Sequence, residues 1–278
     1  MTGAGVSYDA IRLGVFGMVL IAMMVAEAAA PRRRLRYARL IRWPNNIGLT
    51  VISSLLTRLV VPVAGVALAA TAQAGGFGVF SRIALPPWVE VAIAVALLDL
   101  VIYGQHRLFH AVPWLWRFHR MHHSDPDFDV TTALRFHPIE IWLSALIKLA
   151  AIAAIGAAPL AVLVFEVVLN ATAMFNHSNT ALPRWLDQAL RPILVTPDMH
   201  RVHHSVVPQE TNSNFGFNLP WWDRLFGTYR AQPIAGHRDM VIGLGTFSTA
   251  RDQRIDQLLV QPVRQPALPD AQRQGETL

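Results

Sequence analysis

Long apolar stretches, separated by short charged or Gly/Pro-rich ones, set the pattern of this chain. Ile11 to Ala30 is long enough to cross about 30 Å of hydrocarbon, with Arg12 and Glu27 near its ends, where they can snorkel. No positive charge precedes Arg12, so the run reads as a retained anchor rather than a cleaved signal. A second run goes from about Ile47 to Ala72, with Arg58 near its centre. A charge there costs at least about 2.5 kcal/mol in lipid, so it should face protein, water or headgroups. Residues 73–87, Gly-rich and Pro-ended, suit a short loop, and Trp88 to about Gln105 brings the chain back. Ile139 to about Gly156 and Pro159 to about Phe175 are parted only by Ala157 and Ala158, which predicts an antiparallel helical hairpin. The pattern therefore predicts an all-α polytopic membrane protein with about four to five membrane helices and a helical cap.

Charge orients these elements. Arg32, Arg33, Arg34, Arg36, Arg39 and Arg42 follow the first run with no acidic residue among them, which places that loop in the cytoplasm. Counting spans from there, the segments after Gln105 and after Phe175 emerge on the same side. Composition agrees with a membrane protein: 53% of the 278 residues are hydrophobic, against about 45–50% in soluble domains, and the mean hydropathy is +0.34. Lys148 is the single lysine, and the net charge of +6 reflects topology rather than nucleic-acid binding. With no cysteine, disulfides, iron–sulfur clusters and thiolate metal sites are excluded.

Into this frame the chain sets three histidine clusters: His106-x3-His110, His119-x2-His122-His123 and His200-x2-His203-His204. Residues three or four apart share a helix face, so each cluster can aim several imidazoles at one point. Neutral imidazole suits iron, zinc or copper. Eight such groups exceed what one ion needs, which points to two metals in one cage. Any single histidine could instead be a satisfied core residue. Asp99, Tyr103, His106 and His110 fall at steps of four, three and four, so a carboxylate at Asp99 could fix a ligand's tautomer from behind; an interfacial charge near a helix end is the other reading. Thr196-Pro197-Asp198 is a start signal for the helix carrying His200. The segment holding Asn212, Asn214, Trp221, Trp222 and Asp223 reads as a loop-rich cap.

The motifs HRLFH, FHRMHHSDPDFDVTTALRFHPIE, MFNHSNTALP and TPDMHRVHHSVVPQETNSNFGFNLPWWDRLFGTY, spread over residues 99–229, resemble the fatty acid hydroxylase/sterol desaturase superfamily of membrane di-iron oxygenases. Within it the pattern is most similar to bacterial sterol-desaturase-like members, with some likeness to alkylglycerol monooxygenases. The resemblance implies a single integral-membrane domain over 1–250, with 251–278 as a flexible C-terminal tail. It implies two non-haem irons, with zinc as a possible substitute in purified protein. The implied ligands are His106, His110, His119, His122, His123, His200, His203 and His204, then His177 as a ninth and His137 as a tenth or a supporting group. Asp99, Tyr103, Glu210 and Asn214 would order the site. His237, outside the clusters, reads as a surface residue.

The implied activity is O2-dependent hydroxylation or desaturation of a C–H bond in a lipid such as a sterol, fatty acyl chain or alkylglycerol. Two electrons must come from an external reductase, ferredoxin or cytochrome, because no flavin, haem or ferredoxin motif is visible. The implied setting is a bacterial inner membrane with the site facing the cytoplasm. A zinc-dependent membrane lipid hydrolase could use the same ligands without O2. A metal transporter would place them near the bilayer midplane instead.

Overall fold

The computed structural model describes residues 7–61 and 63–265. Five helical segments are long and apolar enough to cross a membrane: Tyr8–Ala29, Arg39–Arg82, Pro87–Ala111, Pro138–Ile155 and Pro159–Asn176. Among the described residues there are no strands, only the isolated bridges Pro31–Thr180 and Ser205–Ile242. The expected hairpin is present as α6 (Pro138–Ile155) and α7 (Pro159–Asn176), joined through Gly156, whose φ of 71° needs a residue without Cβ. A Cβ on Gly156 would also lie 2.5 Å from the carbonyl oxygen of Phe77, so the loop before α4 (Pro87–Ala111) closes onto this turn.

The hairpin is the hub of the bundle. Helix α1 (Tyr8–Ala29) packs on α7, α2 (Arg39–Val60) packs on α6, and α3 (Gly65–Ala74) and α4 (Pro87–Ala111) touch both. Small residues at the crossings, Ala69, Ala94 and Ala161, let backbones approach around Leu98, Ile152, Val162 and Phe165. The second apolar run is not one helix: α2 stops at Val60 and α3 starts at Gly65. Pro62 stands between them in the sequence, and a residue lacking N–H cannot continue a helical ladder. Arg58 therefore lies in the last turn of α2, 75% exposed beside Asp9.

Two other charges differ from expectation. Arg12 does not snorkel but reaches Glu166 of α7 at 3.1 Å, and Glu166 also holds Lys148 of α6 at 2.5 Å, so one buried carboxylate ties three helices. Glu27, at the other end of α1, is fully buried and accepts from the backbone N–H of Val130 and Asn179.

Beyond the bundle lies a cap of short helices. It comprises α5 (Pro113–His123), α8 (Arg184–Leu190), α9 (Pro197–His203), α10 (Pro208–Thr211), α11 (Trp221–Leu225), α12 (Gly236–Asp239) and α13 (Ile255–Val260). The arginine loop stitches bundle to cap. Arg42 is wholly buried and donates to Asp125 (2.7 and 2.6 Å) and Asp129 (2.5 Å), with Asp127 3.9 Å away. Arg32 pairs with Asp198, and Arg33 donates to the carbonyls of His237 and Met240.

The expected flexible tail is also corrected for its first part. Residues 251–264 are docked: Leu258 is buried against Leu49 and Met121, and Gln253 accepts from Arg135 at 2.8 Å. An apolar pair at Leu258 and Leu259 inside a Gln/Arg-rich stretch supplies the anchor. Residues 266–278 of the tail lie outside the described residues.

Candidate metal centre

Four pieces of chain deliver the clustered histidines. Helix α4 carries His106 and His110 in its last two turns and ends at Ala111; Pro113 starts α5, which folds back so that His119 faces His106. His177 is the C-cap of α7. Thr196 caps α9, its hydroxyl accepting from the Met199 N–H, and fixes the phase of His200 and His203, with His204 as C-cap.

These nine residues form two groups, His106/His110/His119/His123/His203 and His122/His177/His200/His204, in each of which one ligand atom per residue lies within 4.8 Å of all the others. The adjacent pairs His122-His123 and His203-His204 split between the groups. Consecutive helical residues point about 100° apart, so one doublet can serve two centres. Their ring planes stand at 87° and 81° respectively.

The inward nitrogens are close: 3.1 Å between Nε2 of His106 and His119, of His110 and His123, and of His177 and His200, and 3.2 Å between those of His177 and His122. The His106–His119 contact cannot be a hydrogen bond. Nδ1 of His106 meets the Phe215 carbonyl at 2.8 Å and Nδ1 of His119 meets the Glu140 carboxylate at 2.6 Å; both acceptors require a proton on Nδ1. A neutral ring then presents a lone pair at Nε2, and two lone pairs face each other. His177, whose Nδ1 donates to the Ala173 carbonyl at 2.8 Å, directs the same lone pair at its neighbours. A cation between them resolves the repulsion. With metal–nitrogen bonds of about 2.1 Å, donors at right angles on one ion stand about 3.0 Å apart. Nε2 of His203 and both ring nitrogens of His204 are buried without a protein partner, as ligand atoms awaiting an ion would be.

Burial also holds the rings neutral. It pushes His122, His123, His200, His203 and His204 well below the usual histidine range, and His177 down to about 3. Outer contacts orient five rings, because Asn212 Oδ1 lies 3.3 Å from His110 Nδ1 and the Ser213 carbonyl accepts from His203 Nδ1 at 2.7 Å. Ser213 and Phe215 thus grip clustered histidines from different helices, and Asn214 between them adopts φ 50°. Its amide spans the carbonyls of Met199 and Arg230 and the N–H of Arg230, which locks the loop.

The other sequence candidates divide. His137 joins neither group: its Nδ1 accepts from the Ile139 N–H as the N-cap of α6, and its Nε2 meets the Leu259 carbonyl at 3.1 Å. Both nitrogens are engaged elsewhere, which corrects the tenth-ligand expectation. Asp99 shares the His106 face but accepts from Trp222 Nε1 (2.9 Å) and the Leu219 N–H (3.1 Å), pinning the cap loop instead of a ligand. Tyr103 bonds Thr228 and stacks on Phe226. Glu210 accepts from the Ile234 N–H. His237 is buried beside Asp198, not on the surface.

Glu140 is the residue that the sequence reading missed. Its signal was an acidic side chain in the first turn of a helix emerging at the histidine end, three positions after His137. Ser213 and Phe215 carried no comparable signal, since both act through backbone carbonyls.

A helical membrane-type bundle closed by an all-imidazole, two-group cap defines the class. The fatty acid hydroxylase family model matches residues 91–228, which contain all nine clustered histidines, and the chain belongs to that family. It is 33% identical over 161 residues to ornithine lipid hydroxylase OlsE of Rhizobium tropici, covering 56% of this chain and 46% of that protein. It is 36% identical over 132 residues to alkylglycerol monooxygenase of Xenopus tropicalis (48% and 28%). With cholesterol 25-hydroxylase of Rattus norvegicus it shares 33% over 150 residues (52% and 48%). The matches thus span about half or less of the length of these relatives. No solved structure matches significantly.

Proposed function

We propose that this protein is a membrane di-iron oxygenase that uses O2 and two electrons to hydroxylate a C–H bond of a lipid. The observation that carries this reading is the pair of buried groups whose Nε2 atoms converge at 3.1–3.2 Å, with the lone pairs of His106 and His119 facing each other. His106, His110, His119, His123 and His203 would hold one iron and His122, His177, His200 and His204 the other. The irons, when bound, supply the O2-dependent cleavage of an unactivated C–H bond. The chain's own residues hold the ligand rings neutral, fix their tautomers and exclude water. His110 is the half-buried member of the first group, beside Trp116 at 4.8 Å between rings and the exposed Asn212. A lipid chain reaches the centre from that side.

The relatives named above are hydroxylases and a monooxygenase, which favours oxygen insertion over desaturation. Electrons come from a separate donor, a reductase, ferredoxin or cytochrome. Because Arg32, Arg33 and Arg42 pack against the histidine cap, loop and cap share one side, and the positive-inside rule makes it the cytoplasmic side. The test is metal content and O2 uptake of full-length protein from iron-supplemented cells, given a generic reductase and a membrane lipid extract. About two irons per chain, with reductant-dependent formation of an oxygenated lipid that His122→Ala abolishes, is the expected result. Tightly held zinc with lipid turnover independent of O2 would overturn it in favour of a zinc hydrolase.

A further inference from the structure

Where α1 hands over to α2, the loop that ties bundle to cap leaves a cleft of ≈ 910 Å³, lined by Arg32, Arg33, Arg34, Arg39, Arg238 and Asn179 along with Pro31 and Leu35. Five arginines line it, and no carboxylate does. Arg32 is neutralised by Asp198 at 3.0 Å. Arg33 donates to two carbonyls, at 2.6 and 2.7 Å, which fix its direction, and Asp127 and Asp239 act on its charge without pairing with it. Among the described residues, Arg34, Arg39 and Arg238 have no ion-pair partner, and the buried Nε of Arg39 has no hydrogen-bond partner. Clustered like charges with a partly desolvated donor repel one another unless an anion sits between them.

We propose that this cleft is a binding site for a phosphate-type anion. Planar guanidinium forks match phosphate oxygens in pairs, which a cluster of arginines exploits better than any other side chain. The setting favours a lipid headgroup over a free ion. The cleft lies at the loop between two candidate spans, with Leu35 in its wall and Leu40, 85% exposed, just beyond. Basic side chains at such a boundary meet anionic headgroups.

The cleft is connected to the metal centre at two points. Arg32 in its wall binds Asp198, two residues before His200. Asn179, two residues after His177, accepts from the N–H of Arg33 and donates to the Arg33 carbonyl. An anion seated here therefore braces the segments that carry His177 and His200, independently of the chemistry performed at the centre.

Native mass spectrometry of the full chain in detergent tests this, with phosphatidylglycerol and phosphatidylcholine as probes and inorganic phosphate as competitor. The expected result is preferential retention of phosphatidylglycerol, weakened by salt, and reduced roughly tenfold for each arginine removed in Arg34→Gln and Arg238→Gln. Both side chains are exposed, so the variants should keep the thermal midpoint and bound-metal content of the parent. Displacement of the lipid by millimolar phosphate would support the anion site and assign its source to solution. Equal retention of the two lipids by the parent, or undiminished phosphatidylglycerol binding in the double variant, would overturn the proposal.

Discussion

Glu140 Oε1 lies 2.6 Å from Nδ1 of His119, at a side chain where both residues are almost fully buried. The carboxylate sets the tautomer that turns the His119 Nε2 lone pair on His106. Glu140→Gln keeps the shape but weakens this grip, since an amide oxygen accepts less strongly and its NH2 can face the ring instead. Loss of about 10–100-fold in metal affinity or activity is expected, as for other outer-sphere partners of ligating imidazoles. Competition with a chelator measures it; unchanged retention of metal would show that Glu140 only fills space.

His137 and His122 should separate cleanly in a metal assay. His122→Ala removes a ligand atom from the second group, whereas His137→Ala removes a helix cap worth about 1 kcal/mol. Parental metal content in His137→Ala with a modest drop in thermal midpoint is the expected pair of results. Loss of metal in His137→Ala matching that in His122→Ala would return it to the ligand set.

Arg42 faces Asp125, Asp127 and Asp129 with no exposure to solvent. Removing it strands buried carboxylates, a change that typically costs about 3–5 kcal/mol. Arg42→Met should therefore collapse the yield of folded protein. Arg42→Lys should recover little, because an ammonium cannot fork between Asp125 and Asp129. Size-exclusion profiles in detergent report the outcome, and a monodisperse Arg42→Met protein would contradict the assignment.

Metal-free protein should be acid-labile. The buried histidines have folded-state values below the unfolded value of about 6.5, with His177 at about 3 and His237 at about 4. Below pH 6.5 the unfolded chain takes up protons that the folded chain refuses, so stability is full above that pH and declines as pH falls toward 3. Each fully buried histidine contributes up to about 1.4 kcal/mol per pH unit across that window. Chelator-treated protein should melt at clearly lower temperature at pH 5.5 than at pH 7.5; equal midpoints would contradict the burial of neutral rings.

What the sequence made legible was local. Helical spacing grouped His119 with His122 and His200 with His203, and apolar runs marked the spans, because both follow from the period of a helix. What it hid was long-range. Arg42 reads as one of six loop arginines until its partners, more than eighty residues away, are seen. Asp99 sits in phase with His106, yet its acceptor role belongs to Trp222, 123 residues on. Pro62 is a different case: the break was present in the residues, and the hydrophobicity around it outweighed the missing N–H.

The doublets His122-His123 and His203-His204 carry a last consequence. Each is a single stretch of covalent backbone with one ring in either group, and the two doublets lie against each other, His123 stacked on His204 at 4.6 Å. The span between the two centres is thus gauged by peptide geometry and not by whatever bridges the ions. The same residues would hold both ions if a pair binds here. By the same linkage, a ring pulled aside at one centre displaces the other, so the two positions should fill and empty together.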